Sequence, residues 1–253
     1  MTFVNGNGTV ISVSTQAILY DLDGTLVDTL QDIALAMNGV LAQNGFPEFP
    51  VEEYRSRVGW GVSVLVEKTV PPEAWDNGFD RETLTGQLVA AYRLNPVVHS
   101  RPYEGTIELV DALRARGARQ ETGQPARRVR QAVLSNKSDE LVQPIVQRLF
   151  GAGRFDLVRG ALPDRPKKPD PDMTIEILGR LGVSPEECLF IGDSEVDMQT
   201  ARRAGCIPVG VAWGFRNAQA VQNAGAEYMM YTVAELRKFL ESKTGNQDKG
   251  ELR

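Results

Sequence analysis

Two carboxylates, Asp21 and Asp23, stand in the stretch AILYDLDGTLVDT, with Gly24 and Thr25 directly behind them. The apolar run before them reads as a buried strand, and Asp-x-Asp-Gly at its end reads first as a polar turn. Three other stretches carry comparable groups. RQAVLSN ends in Ser135 and Asn136; CLFIGD ends in Asp193, with Asp197 in the turn that follows; Lys168 stands in PKKPDPD, ahead of a helix. Taken singly, each has a plain structural reading. Ser135 and Asn136 cap a turn or helix, Asp193 ends a strand, and Asp197 lies on a solvated helix face. Taken together they supply acids, a hydroxyl, an amide and a cation, a set able to hold a metal ion and a phosphoryl group at once.

The roles follow from charge. A phosphate monoester is a dianion and repels a carboxylate nucleophile. A divalent cation shared by the carboxylates and the phosphoryl oxygen offsets that repulsion. The single histidine, His99, cannot form a histidine cluster. A metal here is therefore held largely by oxygen, which points to a hard cation such as Mg²⁺. Asp21 is then the candidate nucleophile, forming an aspartyl-phosphate. Asp23 faces the leaving oxygen, first as acid and then as base toward water. Ser135, Asn136 and Lys168 hold the other phosphoryl oxygens, and Lys168 keeps Asp21 ionised.

These groups act together only if strands and turns deliver them to one edge. The chain of 253 residues is long enough for one large domain, or a core with a smaller domain. From Leu26 to about Arg93 the spacing is helical, with Leu30, Ile33, Ala34, Met37 and Leu41 on one face and Gly45 as the stop; no strand is expected in this block. After HSRPYEG, helices alternate with short apolar strands, which predicts an α/β fold with a parallel sheet covered on both faces. In such sheets ligands sit beyond the carboxyl ends of the strands. Pro144 should kink or restart its helix. Residues 1–15 read as a loose arm or edge strand, residues 119–130 as a solvated loop, and residues 244–253 as a disordered tail.

The net charge of −5 argues against nucleic acid as a partner. No run is long and apolar enough to span a membrane, and the start lacks the pattern of a secretory signal. Cys188 and Cys206, the two cysteines, read as buried free thiols, which fits a reducing cytoplasm.

The blocks DLDGTLVDT, LSNK, KKPDP and IGDSEVD, in this order and with this spacing, resemble the haloacid-dehalogenase-like phosphohydrolases. VGWG and GVAWGFR are similar to the phosphoglycolate phosphatase branch in particular. The resemblance covers about residues 17–240. It implies a Rossmann-like parallel-sheet core, residues 1–27 and 97–243, with an α-helical cap inserted at residues 28–96. It implies Mg²⁺ bound by the Asp21 side chain, the Asp23 main-chain carbonyl and the Asp193 side chain, with Asp197 orienting water from behind. Thr25 joins the substrate side of the first block. Lys168, not Lys167, matches the family lysine because it directly precedes Pro169.

The implied substrate is a small phosphorylated metabolite, with 2-phosphoglycolate first. Pyrophosphate, a sugar phosphate, a β-phosphoglucomutase-like transfer and a non-catalytic phospholigand module stand as alternatives. Asp23 disfavours a haloacid dehalogenase, whose pattern lacks that acid. Specificity falls to the cap, where Gly59 and Gly61 either serve as turn glycines or form a loop that closes over substrate. Arg55, Arg57 and Lys68 flank that turn as candidate partners for a carboxylate. Trp60 and Trp213 read as packing residues, His99 as structural, and Lys137 as a surface residue.

Overall fold

The computed structural model describes residues 2–4, 10–12, 15–116 and 128–244. Two short strands, β1 (Thr2–Val4) and β2 (Val10–Ser12), pair antiparallel apart from the main sheet. The chain then enters β3 (Ala17–Tyr20), whose four residues are all fully buried. Successive side chains of a strand face opposite ways. Ile18 and Tyr20 enter one apolar cluster, Ala17 and Leu19 the other, so helices must cover both faces.

After β3 come β4 (Val27–Asp28), α1 (Leu30–Gln43), a 3₁₀ turn at Val51–Ser56, α2 (Val62–Thr69), α3 (Glu73–Asp76) and α4 (Arg81–Leu94). The helices pack on one another through the expected face of α1, where Leu30, Ile33, Ala34, Met37 and Leu41 are buried. Asp80 caps α4 by accepting the Thr83 amide at 2.7 Å. Gly45, at φ +75°, follows the end of α1.

The strand β4 departs from expectation. It pairs antiparallel with β5 (Arg101–Pro102), so the outgoing and returning connections of the helical block run side by side. A two-residue strand has no period to read, and its partner lies beyond the whole block.

The return continues through α5 (Thr106–Arg116), β6 (Arg130–Ser138), α6 (Asp139–Phe150), β7 (Leu157–Ala161), α7 (Asp172–Leu181), β8 (Cys188–Gly192), α8 (Glu195–Ala204), β9 (Ile207–Val211), α9 (Ala218–Asn223), β10 (Tyr228–Met230) and α10 (Val233–Thr244). The six strands lie in the order β10-β9-β8-β3-β6-β7, all parallel. This is the expected Rossmann-like α/β core. Its first strand, β3, is central, between β8 and β6, which makes the end of β3 a topological switch point.

Pro144 does not break α6, which is continuous through it; only the bond to the Glu140 carbonyl is lost. The helix α10 reaches Thr244, the first residue of the expected tail. The rest of that tail, and residues 119–127 of the expected loop, lie outside the described residues. Cys188 and Cys206 are buried and unbridged.

Candidate active site

Register puts the chemistry in place. Tyr20 pairs with Val133 on one side and Ile191 on the other, so Asp21 and Asp193 follow the carboxyl ends of β3 and β8, and Ser135 lies in β6 just past its last partner in β3. The Asp21 amide continues the ladder by donating to the Ile191 carbonyl at 2.9 Å. Strand ends are rigid because both neighbours hold them, so side chains there are aimed by the sheet rather than by a loop.

Asp21, Asp193 and Asp197 are buried, and each offers an oxygen within 4.8 Å of the others. Lys168 Nζ stands 2.9 Å from Asp21 Oδ1 and 2.7 Å from Asp197 Oδ1. Lys168, not Lys167, thus reaches the acids. Asp197 is otherwise committed. Its Oδ2 accepts the Ser194 amide at 3.2 Å and the Ser194 hydroxyl, the capping box that starts α8. Asp193 Oδ2 accepts the Phe215 amide at 2.7 Å, and the Thr25 hydroxyl lies 3.4 Å from Oδ1. Asp21 Oδ1, by contrast, is buried with no well-directed hydrogen bond despite the nearby ammonium. Gly24 lets the turn close against Asp193: its φ is +84°, and a Cβ there would overlap the Asp193 carboxylate.

Three buried carboxylates around one ammonium leave an excess of negative charge. Burial pushes the Asp21 carboxyl up to about 7; Lys168 pulls it down, while Asp197 and Asp23 push it up. Burial, with Asp197 and Asp21, also drives Asp193 well above the usual carboxylate range, against the Phe215 amide. Burial opposes the Lys168 charge, yet Asp197 and Asp21 outweigh it and hold that ammonium firmly protonated. An all-oxygen set with more carboxylate charge than one ammonium offsets suits a hard divalent cation.

Asp23 stands apart from this trio. Its carboxylate accepts the Thr29 hydroxyl at 2.7 Å and meets Lys137 Nζ at 2.9 Å from both oxygens. Lys137 corrects the sequence reading, which left it on the surface. Its side chain is 4% exposed, and its ammonium lies 4.7 Å from the ring centroid of Tyr92, on α4. Burial works against its charge, but Asp23 and Tyr92 hold its pKa above the usual lysine value. Its position directly after Ser135 and Asn136 was the available signal.

A cavity opens over these groups. Asp21, Asp23, Ser135, Asn136, Lys137 and Asp193 line its floor. Its roof is apolar, from Ile33, Val58, Val62, Leu65 and Leu88, with Tyr92, Gly59 and Gly61 beside them. Two predicted residues point elsewhere. Thr25 turns its hydroxyl toward Asp193, and Lys168 sits behind Asp21; neither lines the cavity. The Asn136 amide is spent on the Gly59 carbonyl at 3.1 Å and the Lys168 carbonyl at 2.9 Å, tying the glycine turn to the lysine loop.

The three cations flanking the turn do not line the cavity either. Arg55 binds Glu52 and the Gly214 carbonyl, Arg57 binds Glu53 and covers the Phe49 ring, and Lys68 is exposed. Arg216, which sequence reasoning did not single out, does line it. Its guanidinium donates to the carbonyls of Arg55 and Val58, fastening the loop after β9 to the helical block. Trp213 packs as expected, donating to the Thr25 carbonyl at 3.1 Å, whereas Trp60, expected to pack, is 36% exposed. The His99 side chain is exposed; only its amide is engaged, with Asp32.

Comparison with known proteins agrees with this geometry. The family model of the haloacid dehalogenase-like hydrolases matches residues 15–205. The phosphoglycolate phosphatase of Aquifex aeolicus is 34% identical over 200 residues, which cover 79% of this chain and 86% of that one. That of Escherichia coli is 28% identical, covering 87% of this chain and 90% of its own. A crystal structure described as a predicted phosphoglycolate phosphatase from Haemophilus somnus superposes with a TM-score of 0.78 at 27% identity, covering 89% of this chain and 97% of that one. With these matches joined to the acids at the strand ends, the chain belongs to the haloacid dehalogenase-like hydrolases, in their phosphoglycolate phosphatase-like branch, and is a phosphoric monoester hydrolase.

Proposed function

We propose that the enzyme hydrolyses 2-phosphoglycolate through an aspartyl-phosphate on Asp21. The observation that carries this reading is the Asp21 carboxylate itself. It is held at the end of β3, paired with Lys168, and faces a cavity with Asp23 and Ser135 beside it. Asp21 attacks phosphorus as the bond to the ester oxygen breaks. Asp23 gives its proton to that oxygen, and glycolate departs. Asp23 then takes a proton from water, which attacks phosphorus and restores the Asp21 carboxylate. Ser135 offers its hydroxyl to a phosphoryl oxygen. Lys168 keeps Asp21 ionised and oriented.

The side chains of Asp21 and Asp193 and the main-chain carbonyl of Asp23 would hold Mg²⁺, with Asp197 behind them. When bound, the ion supplies positive charge that offsets the repulsion between nucleophile and phosphate dianion. The cap is taken as residues 28–96. Its apolar roof excludes water from the transfer. The choice of 2-phosphoglycolate is supported by the names of the relatives and by a small cavity roof that leaves few polar groups for a sugar.

Phosphate release should be measured with phosphoglycolate, ethyl phosphate, pyrophosphate and glucose 1-phosphate, with and without Mg²⁺. Phosphoglycolate should give the highest kcat/KM, chelation should abolish release, and Mg²⁺ should restore it. Rapid quench should trap phosphate on Asp21. A tenfold advantage for pyrophosphate or a sugar phosphate, about 1.4 kcal/mol of transition-state discrimination, would reject this substrate and leave the core chemistry standing.

A further inference from the structure

A carboxylate on the leaving group needs a partner, because the roof it meets is hydrocarbon. Ile33, Val62, Leu65 and Leu88 offer no donor, and an unpaired buried carboxylate is costly. The nearby cations can be taken in turn. Arg55, Arg57 and Lys68 lie off the cavity. Lys168 is committed to Asp21 and Asp197. The Arg216 guanidinium is engaged by two cap carbonyls and stands 3.4 Å from Glu195.

Lys137 differs from all of these. It lines the cavity, is almost fully buried, and its ammonium meets Asp23 and Tyr92. An ammonium has three donors, and the two oxygens of Asp23 account for two. Tyr92 supplies an independent sign of a missing ligand. It is 3% exposed and lines the same cavity, and its buried hydroxyl, beside the Lys137 ammonium, makes no well-directed hydrogen bond among the described residues. Buried hydroxyls are nearly always paired, so an orphan beside a cation marks a place where a ligand oxygen fits.

We infer that Lys137 and Tyr92 together bind the carboxylate of the leaving group and so determine specificity. The inference rests on the phosphoglycolate reading. In phosphoglycolate the carboxyl carbon is attached to the carbon that bears the ester oxygen. A substrate whose ester oxygen faces Asp23 therefore has its carboxylate within a few ångströms of the same acid. Once Asp23 has given its proton to the leaving oxygen, the two carboxylates repel, and a cation touching both offsets the repulsion. Lys137 is already in contact with one of them. Tyr92 comes from α4 and Lys137 from β6, so the site is complete only when the helical block sits on the sheet. A neutral ester lacks the group that Lys137 and Tyr92 are placed to meet.

The test is the ratio of kcat/KM for phosphoglycolate to that for ethyl phosphate, measured in the wild type, Lys137→Met and Tyr92→Phe. Loss of a partner to Asp23 affects both substrates, so a merely supporting role leaves the ratio unmoved. Recognition predicts a ratio about 100-fold lower in Lys137→Met and about tenfold lower in Tyr92→Phe. Lys137→Arg should recover part of it. Should Lys137→Met not fold, Tyr92→Phe, which keeps the ring, decides alone. If the wild type prefers phosphoglycolate and the folded variants keep that preference, the inference is overturned and the proposed function stands. A wild type with no preference overturns both.

Discussion

Asp21 and Asp193 follow the ends of two adjacent, buried strands, Ser135 lies in the neighbouring β6, and Lys168, Ser194 and the Phe215 amide hold the acids among them. Gly59 and Gly61, across the same cavity, sit between a 3₁₀ turn and an eight-residue helix. They are held by side chains sent up from the floor, Asn136 to the Gly59 carbonyl and Arg216 to the Val58 carbonyl. The floor is a charge network in which every member has one geometry. The roof is hydrocarbon and main chain, steadied from below. A sheet can aim a nucleophile because both neighbouring strands fix it, whereas a turn between helices changes shape at little cost. Under the proposed function, chemistry belongs to the floor, and choice of leaving group belongs to the roof and to the two residues that bridge them.

Damage to the floor should fall on every substrate alike, and damage to the roof should fall unequally. The largest effect is expected from Asp21→Asn. Turnover should drop by roughly 10⁴-fold or more on every phosphoester, with an unchanged melting temperature within a few degrees. Near-normal activity in the purified variant would sink the nucleophile assignment.

Asp23→Asn should cost about 10²- to 10⁴-fold with alkyl phosphates, because the leaving oxygen is no longer protonated. An aryl phosphate with a good leaving group should lose much less in the first step, so phospho-enzyme should accumulate. Equal losses on both, read by rapid quench, would show that Asp23 is not the leaving-group acid.

Gly61→Ala tests the roof. Gly61 has φ +92°, and an added Cβ would lie 3.2 Å from the Asn136 carbonyl. The strain should shift the turn and raise KM for phosphoglycolate by about tenfold, with a smaller change in kcat. A fall in kcat matching that of the floor variants would break the division between the two regions.

The smallest effect on turnover is expected at the seam. Asp32, on α1, accepts the amides of Val98, His99 and Ser100 at 3.0, 2.9 and 2.8 Å, and the Ser100 hydroxyl at 2.6 Å. Burial alone would raise its pKa, but the hydroxyl and the amides outweigh it, leaving the carboxyl below its ordinary 3.8. Asp32→Ala should cost about 1–3 kcal/mol of stability through the donors left unpaired. A depressed native pKa stabilises above the unfolded value and is lost as pH falls through the native one. The stability gap between wild type and variant should thus hold at neutral pH and narrow only below about pH 4. A gap that narrows already near pH 6, in denaturant titrations, would reject the assignment.

Much of the floor was legible in the chain because its signals are local. An apolar run stopped by an acid can be read from a few residues, and so can an amphipathic helix or a glycine stop. The order of the four motif blocks then pointed to one switch point. Lys168 was separable from Lys167 by its neighbour Pro169 alone. The bland reading of Asp193 as a strand end was locally correct, whereas that of Asp197 as a solvated helix face was not, because its carboxylate is buried in the capping box that starts α8.

What the chain by itself determined, then, is which elements form and which side chains each delivers at its end, because periodicity and strand length act over a few residues. Which of those side chains meet was decided by the tertiary structure. Lys137 reads as solvated until Tyr92, from α4, and Asp23, beyond β3, close around it. Arg216 is one more loop cation until its carbonyl partners arrive from Arg55 and Val58. Asp32 is an ordinary first-turn acid until residues 98–100 return to it. In each case the partner lies far along the chain. A long polar side chain has no preferred environment of its own, so only the packing of distant elements removes it from water and assigns its charge a task.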